Sequence, residues 1–324
     1  MTPAKAVFLI LGIALAIAFV LGPRPDVDET IQPLDLPADL DTYLATSEAR
    51  FDDIIPGAEK TIVWANPEKA RTPVSVVYLH GFSATRQETS PLSDSVAARL
   101  GANLFYTRLA GHGRSDDAMG EARINDWLND TMEAYAIGQR LGERVVVIGT
   151  STGGTLATWL AAQPDTDALM AVVLISPNYG PKDKMSGLLL WPWGKQLARM
   201  VVGPYYIWEP ANEQHARYWK TRHPSSALVP MMGLVDLVNR LDFGRIQTPL
   251  LVVCSPDDQV VDPIRIAEAY PRFGSSVKEL VLVEEAGDPS NHVLAGAILS
   301  PRETMPTVER IVTFLAPLAA EPVR

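Results

Sequence analysis

Cysteine is almost absent from this chain of 324 residues, with Cys254 the only one. A single cysteine excludes an internal disulfide framework, a cysteine-rich zinc site and an iron–sulfur cluster. Basic residues are too few for a nucleic-acid surface, because 28 Lys and Arg stand against 38 Asp and Glu and leave a net charge of −10. The HExxH, P-loop and strand–GxGxxG motifs are also missing. We therefore expect no metal, nucleotide or other cofactor, and no nucleic-acid partner.

The most conspicuous feature that is present is an uncharged apolar run from Ala6 to Gly22. As a helix it measures about 26 Å, slightly less than the roughly 30 Å hydrocarbon core of a bilayer. It is also longer than the apolar core of a typical secretory signal. The pattern favours an uncleaved membrane anchor in residues 1–22, and a cleaved signal is the alternative. Lys5 before the run and Arg24 after it orient the bulk of the chain outside the cytoplasm, towards a bacterial periplasm.

Four prolines between residues 23 and 37 indicate an extended linker over 23–38. In the remaining residues, 39–324, apolar β-branched segments alternate with helical patterns. Such continuous apolar strands, separated by helices, predict a mostly parallel sheet covered by helices on both faces. The predicted strands are Val74–Leu79, Asn103–Thr107, Arg144–Ile148, Ala171–Ile175 and Leu250–Cys254. The expected fold class is α/β.

The alternation stops between about residues 178 and 247. This insert has no convincing strand pattern, and it contains four of the seven tryptophans. We expect a helical cap over the carboxyl edge of the sheet, which is where open α/β sheets carry their ligand sites.

Chemistry is indicated first by the segment from Gly149 to Gly153, which reads Gly-Thr-Ser-Thr-Gly. This GxSxG pattern lies between a predicted strand and a predicted helix, as a nucleophile elbow requires. The glycines leave room for a sharp turn that holds the Ser151 hydroxyl in the cleft, next to the positive end of the helix. Ser151 is therefore the candidate nucleophile.

A serine hydroxyl needs a base, and the base needs a carboxylate that orients it. In this architecture the chain order is Ser, acid, His. Of the five histidines only His292 follows the late strands, so it is the candidate base. The acid is expected directly after Leu250–Cys254. Asp258 is the first choice and Asp257 the alternative, while Asp262 is expected to cap the next helix.

Negative charge that develops on a carbonyl oxygen needs fixed hydrogen-bond donors. The backbone N–H of Thr152, directly after the nucleophile, is one candidate. The second is the N–H of Phe82, in the loop His80-Gly81-Phe82-Ser83 after a predicted strand. We expect the His80 side chain to pack behind this loop rather than to act as a base.

These motifs, together with Gly111-His112-Gly113-Arg114-Ser115, resemble the α/β-hydrolase superfamily from about Thr61 to Leu315. Similar members are monoacylglycerol lipases, serine aminopeptidase-like hydrolases and bacterial carboxylesterases. The resemblance implies a Ser/Asp/His triad, two backbone oxyanion donors and a cap between the sixth and seventh strands. Thr152 stands where Met or Gln is common in the family, which leaves the backbone N–H in place.

The expected function is hydrolysis of carboxylic esters, with an apolar acyl or aryl group and a small or lipid-like substrate. A peptidase, amidase or thioesterase uses the same triad and is the alternative, because the cap selects the leaving group. An aminopeptidase needs an acidic pocket for the substrate amine. Glu209 and Glu213 are the candidates in the cap, but we expect them to be solvated. A catalytically silent binding protein is the third possibility.

Overall fold

Seven strands pair side by side in the order β1-β3-β2-β4-β5-β8-β9 in the computed structural model, which describes residues 2–320. Only β1 runs antiparallel, to β3, and the other pairs are parallel. The strands are β1 Thr61–Val63, β2 Thr72–Leu79, β3 Asn103–Tyr106, β4 Gly142–Thr150, β5 Leu169–Ile175, β8 Leu250–Cys254 and β9 Lys278–Leu282. The predicted α/β architecture with a mostly parallel sheet is confirmed.

Helices cover both faces of this sheet, and the alternation of side chains along each strand explains why. In β4, Val145 and Val147 enter one core with α4 and α5, whereas Val146 and Ile148 enter the other with α3 and α10. Both sets are apolar because both faces are covered. The helices that cover the two faces are α2 Leu40–Glu48, α3 Leu92–Leu100, α4 Ile124–Leu141, α5 Thr152–Ala161, α9 Pro263–Ala269 and α10 Pro301–Ala320.

The cap is only partly helical, so the expectation of a cap without strands is wrong. Its helices are α6 Gly194–Val201, α7 Glu213–Tyr218 and α8 Leu228–Asn239. Between them β6 Tyr205–Ile207 and β7 Arg222–Pro224 form an antiparallel pair. Strands of three residues are too short to show an alternating pattern in the sequence. The cap follows β5, the fifth strand of the described residues, rather than a sixth.

The amino-terminal apolar run forms helix α1, Pro3–Val20, in which no residue is buried. It is the one described helix that is long and apolar enough to cross a membrane. The helix ends two residues before the predicted boundary, since Pro23 cannot continue it. Residues 23–39 then run without helix or strand along α4, where Gln32 N–H donates to Asn129 Oδ1 at 2.8 Å.

The turn from β4 into α5 is possible only because two residues lack a side chain. A Cβ atom on Gly153 would lie 2.0 Å from the carbonyl oxygen of Leu79 in β2, and one on Gly149 would lie 2.3 Å from the carbonyl oxygen of Gly153. Such distances are far inside van der Waals contact, so α5 packs backbone to backbone against the end of β2. This contact fixes where residue 151 stands relative to the loop after β2.

We predict that Gly153→Ala destabilises the fold by roughly 2 kcal/mol or more, because the added methyl group forces β2 and α5 apart. Gly187→Ala is the matched control, since its Cβ would have no neighbour within 4 Å, and it is expected to change the free energy of unfolding by less than about 0.5 kcal/mol. Urea unfolding measures both. Equal stability of the two variants would contradict the close backbone contact.

Candidate active site

Ser151 lies at the turn between β4 and α5, in a backbone conformation that is strained for a residue with a side chain. Its φ is 53° and its ψ is −116°. Such conformations cost about 1–3 kcal/mol and persist where the surroundings enforce them. Here the Ser151 N–H donates to Ile175 O at 2.9 Å, and the Ser151 carbonyl accepts from Asn178 N–H at 3.1 Å. Ser151 is 6% exposed as a residue.

His292 and Asp258 form a buried hydrogen-bonded pair. The Asp258 Oδ2 atom accepts from His292 Nδ1 at 2.8 Å. The other carboxylate oxygen, Oδ1, accepts from the N–H groups of Val260 at 2.7 Å and Val261 at 2.9 Å. Asp258 is completely buried, whereas its neighbour Asp257 is exposed. Asp258 is therefore the carboxylate that fixes the orientation of the imidazole and leaves its Nε2 atom free for chemistry.

A second aspartate, Asp288, shapes the loop that carries His292. Its Oδ2 atom accepts from the N–H groups of His292 at 3.0 Å and Val293 at 2.9 Å, and from Ser290 Oγ at 2.6 Å. Burial opposes its charge, but these hydrogen bonds leave the pKa of Asp288 below its ordinary value. Our sequence reasoning missed this role. The available signal was an aspartate four residues before the candidate base, at the start of a turn.

Strand β5 brings Ser151 and His292, the candidate nucleophile and the candidate base, to the same end of the sheet. Its last residue, Ile175, accepts from Ser151 N–H, and the next residue, Ser176, donates its hydroxyl to the carbonyl of His292 at 2.8 Å. Within residues 2–320, no hydrogen bond joins Ser151 Oγ to His292 Nε2. Catalytic hydrogen bonds are often long in the absence of substrate and shorten when it binds.

The electrostatic surroundings of His292 favour its protonated form. Burial alone lowers the pKa of a histidine, but Asp258, Glu88 and Asp288 together raise the pKa of His292 above its ordinary value. Among the groups that raise this pKa, Asp258 has the largest effect, through both its charge and its hydrogen bond. A raised pKa makes this imidazole a stronger base at the cost of being protonated over a wider pH range.

The two candidate oxyanion donors come from separate segments of the chain, the start of α5 and the loop after β2. Thr152 is the first residue of α5, so its N–H has no acceptor inside the helix. Phe82 follows Gly81, where an added Cβ would lie 3.2 Å from Ser151 Cβ. The loop that carries the Phe82 N–H therefore passes directly beside the nucleophile.

His80 supports this loop from behind, as expected. Its Nε2 atom accepts from Leu109 N–H at 3.0 Å, so the proton is on Nδ1, which donates to the Gly81 carbonyl at 2.9 Å. Burial lowers the pKa of His80 to about 4, and the ring stays neutral at physiological pH. His80 is thus part of the scaffold of the oxyanion loop.

Cap residues meet the core next to these groups. The Phe82 ring packs edge-on against His223 of β7, with ring centroids 5.3 Å apart. On the other side, Asn178 Nδ2 donates to the sulfur of Met231 in α8 at 3.4 Å. The cap therefore supplies apolar and aromatic walls around the Ser151 region. Glu209 and Glu213 are both exposed.

No group of three or more His, Cys, Asp or Glu side chains that would hold a metal ion occurs among residues 2–320. Burial raises the pKa of the Cys254 thiol to about 11, so this cysteine stays protonated and unreactive in the core.

Comparison with known proteins identifies the family. The family model Hydrolase_4, "Serine aminopeptidase, S33", matches residues 71–287. The thermostable monoacylglycerol lipase of Bacillus sp. (strain H-257) is 27% identical over 245 residues, which cover 75% of this chain and 91% of that protein. The solved structure reported for the metagenome-derived lipolytic enzymes LipS and LipT superposes with a TM-score of 0.68 at 23% identity, covering 82% of this chain and 99% of that one. The Paleococcus ferrophilus monoacylglycerol lipase gives 0.60 at 19% identity, covering 80% and 99%. The chain belongs to the serine aminopeptidase S33 (Hydrolase_4) family of α/β hydrolases.

Proposed function

We propose that this protein is a serine hydrolase that cleaves carboxylic esters through an acyl-enzyme intermediate. The observation that supports it most strongly is the buried Asp258–His292 pair, which lies at the same sheet edge as the strained Ser151. A nucleophile, a base and an orienting carboxylate are the groups that acyl transfer requires. Family membership and the similarity to a monoacylglycerol lipase support the same reaction class.

In the proposed mechanism Ser151 Oγ attacks the carbonyl carbon of the ester, and its proton passes to His292 Nε2. Asp258 stabilises the imidazolium without taking the proton. The N–H groups of Phe82 and Thr152 bind the oxyanion. The tetrahedral intermediate then collapses as His292 protonates the departing alcohol. A water molecule, deprotonated by His292, releases the carboxylic acid and regenerates Ser151.

The surroundings of the site favour an ester with an apolar group over a peptide. The Phe82 ring and the sulfur of Met231 lie beside the residues that contact Ser151. The cap acids Glu209 and Glu213, the candidates for binding the free amino terminus of a peptide, are exposed. A lipid-like ester, as the names of the similar lipases suggest, fits these walls.

We further propose that α1 attaches the enzyme to a membrane, with the catalytic domain outside the cytoplasm. The helix ends against the cap, where Trp193 Nε1–H donates to Ala18 O at 3.1 Å and the rings of Trp191 and Phe19 meet at 6.1 Å. Trp193 also has a φ of 69°, an unusual value for an aromatic residue. Tryptophans are typical of membrane interfaces, so this contact suits the level of the lipid headgroups. The cap also exposes large apolar side chains, among them Met185, Met200, Val201 and Ile207.

We predict that Ser151→Ala lowers the turnover of p-nitrophenyl acyl esters by roughly a thousandfold or more, because no nucleophile remains. Ser93→Ala is the control, since Ser93 is a buried serine in α3, and it should keep near wild-type turnover. Wild-type protein should hydrolyse acyl esters faster than aminoacyl arylamides. Unchanged turnover in Ser151→Ala contradicts the proposal, and a preference for arylamides contradicts the ester assignment.

Asp258→Asn is expected to lower kcat by roughly 10³- to 10⁴-fold, because an amide no longer holds the productive tautomer of His292. The neighbouring variant Asp257→Asn makes the same change on an exposed side chain and should stay within a few-fold of wild type. Steady-state kinetics on one ester compares the two. A larger loss in Asp257→Asn would reassign the acid.

For the membrane helix, we predict that the double change Leu9→Arg with Ile13→Arg moves the protein from the membrane pellet to the supernatant after carbonate extraction. Each arginine costs about 2.5–3.5 kcal/mol at the centre of an inserted helix. The control adds the same two charges to exposed linker positions, Val27→Arg with Ile31→Arg, and should stay in the pellet. Equal behaviour of the two double variants would rule out α1 as the anchor.

A further inference from the structure

Glu88 is a third buried carboxylate beside the proposed triad, and the mechanism above does not use it. It ends a short 3₁₀ turn, Arg86–Glu88, and is 2% exposed. Its Oε2 atom accepts from the N–H of Gly81 at 2.8 Å and from the hydroxyl of Tyr78 at 3.0 Å. Neither partner carries a positive charge. Burial of a carboxylate without a cation costs free energy of folding, and carboxylates buried in this way are common at functional sites.

The position of Glu88 relates it directly to the oxyanion loop. A Cβ atom on Gly81 would lie 2.6 Å from Glu88 Oε1 and 3.2 Å from Ser151 Cβ, so only the glycine backbone separates the two side chains. Both polar groups of the Gly81 backbone form hydrogen bonds with side chains. The N–H donates to Glu88, and the carbonyl accepts from His80. The bond from His80 fixes the Gly81–Phe82 peptide plane, which carries the Phe82 N–H, and the bond to Glu88 fixes the preceding His80–Gly81 plane. Together they set the backbone angles at Gly81.

We propose that Glu88 is a positioning residue, which holds the His80–Gly81 peptide and through it the orientation of the Phe82 N–H for the oxyanion, and whose charge stabilises the imidazolium form of His292. This inference rests on the proposed function, in which His292 is the base and Phe82 a donor. Asp258 holds His292 through a direct hydrogen bond, whereas Glu88 acts on it through the field alone. The site therefore combines one carboxylate that orients the base with another that adjusts the pH at which the base is free.

The groups around Glu88 are consistent with this role. Tyr78 of β2 donates its hydroxyl to Glu88, and the charges of His292 and Asp288, from the loop after β9, both act on its pKa. The guanidinium of Arg86, on its own turn, lies over the Tyr106 ring at 5.2 Å. Burial raises the pKa of Glu88 to about 7, while the Gly81 N–H, the charge of His292 and the Tyr78 hydroxyl lower it. The charges of Glu88 and His292 act on each other, so the two groups titrate as a coupled pair.

The first test is the pH dependence of kcat/KM for ester hydrolysis by Glu88→Gln. The glutamine keeps an oxygen for the Gly81 N–H but loses the charge, so the acidic limb should move to lower pH by roughly half a unit or more. The plateau should change little, because the imidazolium and the oxyanion have opposite charges and the field of Glu88 on them partly cancels. Glu309→Gln, an exposed residue paired with Arg99, removes the same charge at a distance and should not move the limb. An unmoved limb in Glu88→Gln, or one moved to higher pH, overturns the electrostatic role.

The second test is Glu88→Ala, which removes the acceptor of the Gly81 N–H as well. Its kcat should fall roughly tenfold with little change in KM, because a loosened oxyanion donor affects the transition state more than substrate binding. Glu88→Gln should restore that plateau. A full plateau in Glu88→Ala overturns the orienting role, and if the alanine variant does not fold, a plateau in Glu88→Gln below one tenth of wild type does so instead.

Labelling of wild-type Ser151 by a fluorophosphonate separates the failure of this inference from the failure of the proposed function. With Ser151 labelled and the limb of Glu88→Gln unmoved, the Glu88 proposal alone is wrong. Without labelling at Ser151, the assignment of the nucleophile is wrong and the inference about Glu88 falls with it.

Discussion

The contact between the backbone of α5 and the end of β2 is the constraint on which the rest of the site depends. Gly153 lies so close to the Leu79 carbonyl that no side chain fits between them, and Gly149 closes the turn from the other side. Ser151 is thereby held at a φ of 53° beside the loop that follows β2. Once this contact is made, the candidate nucleophile after β4 and the candidate oxyanion donor in the loop after β2 lie next to each other. The strain at Ser151 is local, and the packing of two buried strands and a helix sustains it.

Three buried carboxylates surround one imidazole, and their different hydrogen bonds give them different tasks. Asp258 accepts from the ring of His292 and sets its tautomer. Asp288 accepts from the backbone N–H groups of the His292 loop and sets its shape. Glu88 touches neither the ring nor the loop backbone; it accepts from the Gly81 N–H on the opposite side of Ser151. A cleft with this much negative charge favours an imidazolium, the species through which acyl transfer proceeds.

The cap contacts both the proposed catalytic site and α1, the helix that we propose as the membrane anchor. The cap contributes His223 against the Phe82 ring, and on another side its tryptophans meet the end of α1. One insertion therefore contacts both the oxyanion loop and the proposed membrane anchor.

The sequence by itself determined the sheet, the elbow and the chain order of the candidate triad, because these depend on local signals. Continuous apolar runs separated by helical patterns predict the strands, and the GxSxG pattern predicts the sharp turn. His292 is the one histidine that follows the late strands, so it is the single choice of base. Only the tertiary structure showed that Asp258 is buried against His292 while Asp257 is exposed, since these adjacent residues are of the same type. It alone revealed the short strands of the cap, which are too brief to leave a pattern. It also showed which groups Asp288 and Glu88 contact. The protonation and hydrogen bonding of a carboxylate depend on neighbours that are distant in the chain and on the loss of water around it when the chain folds.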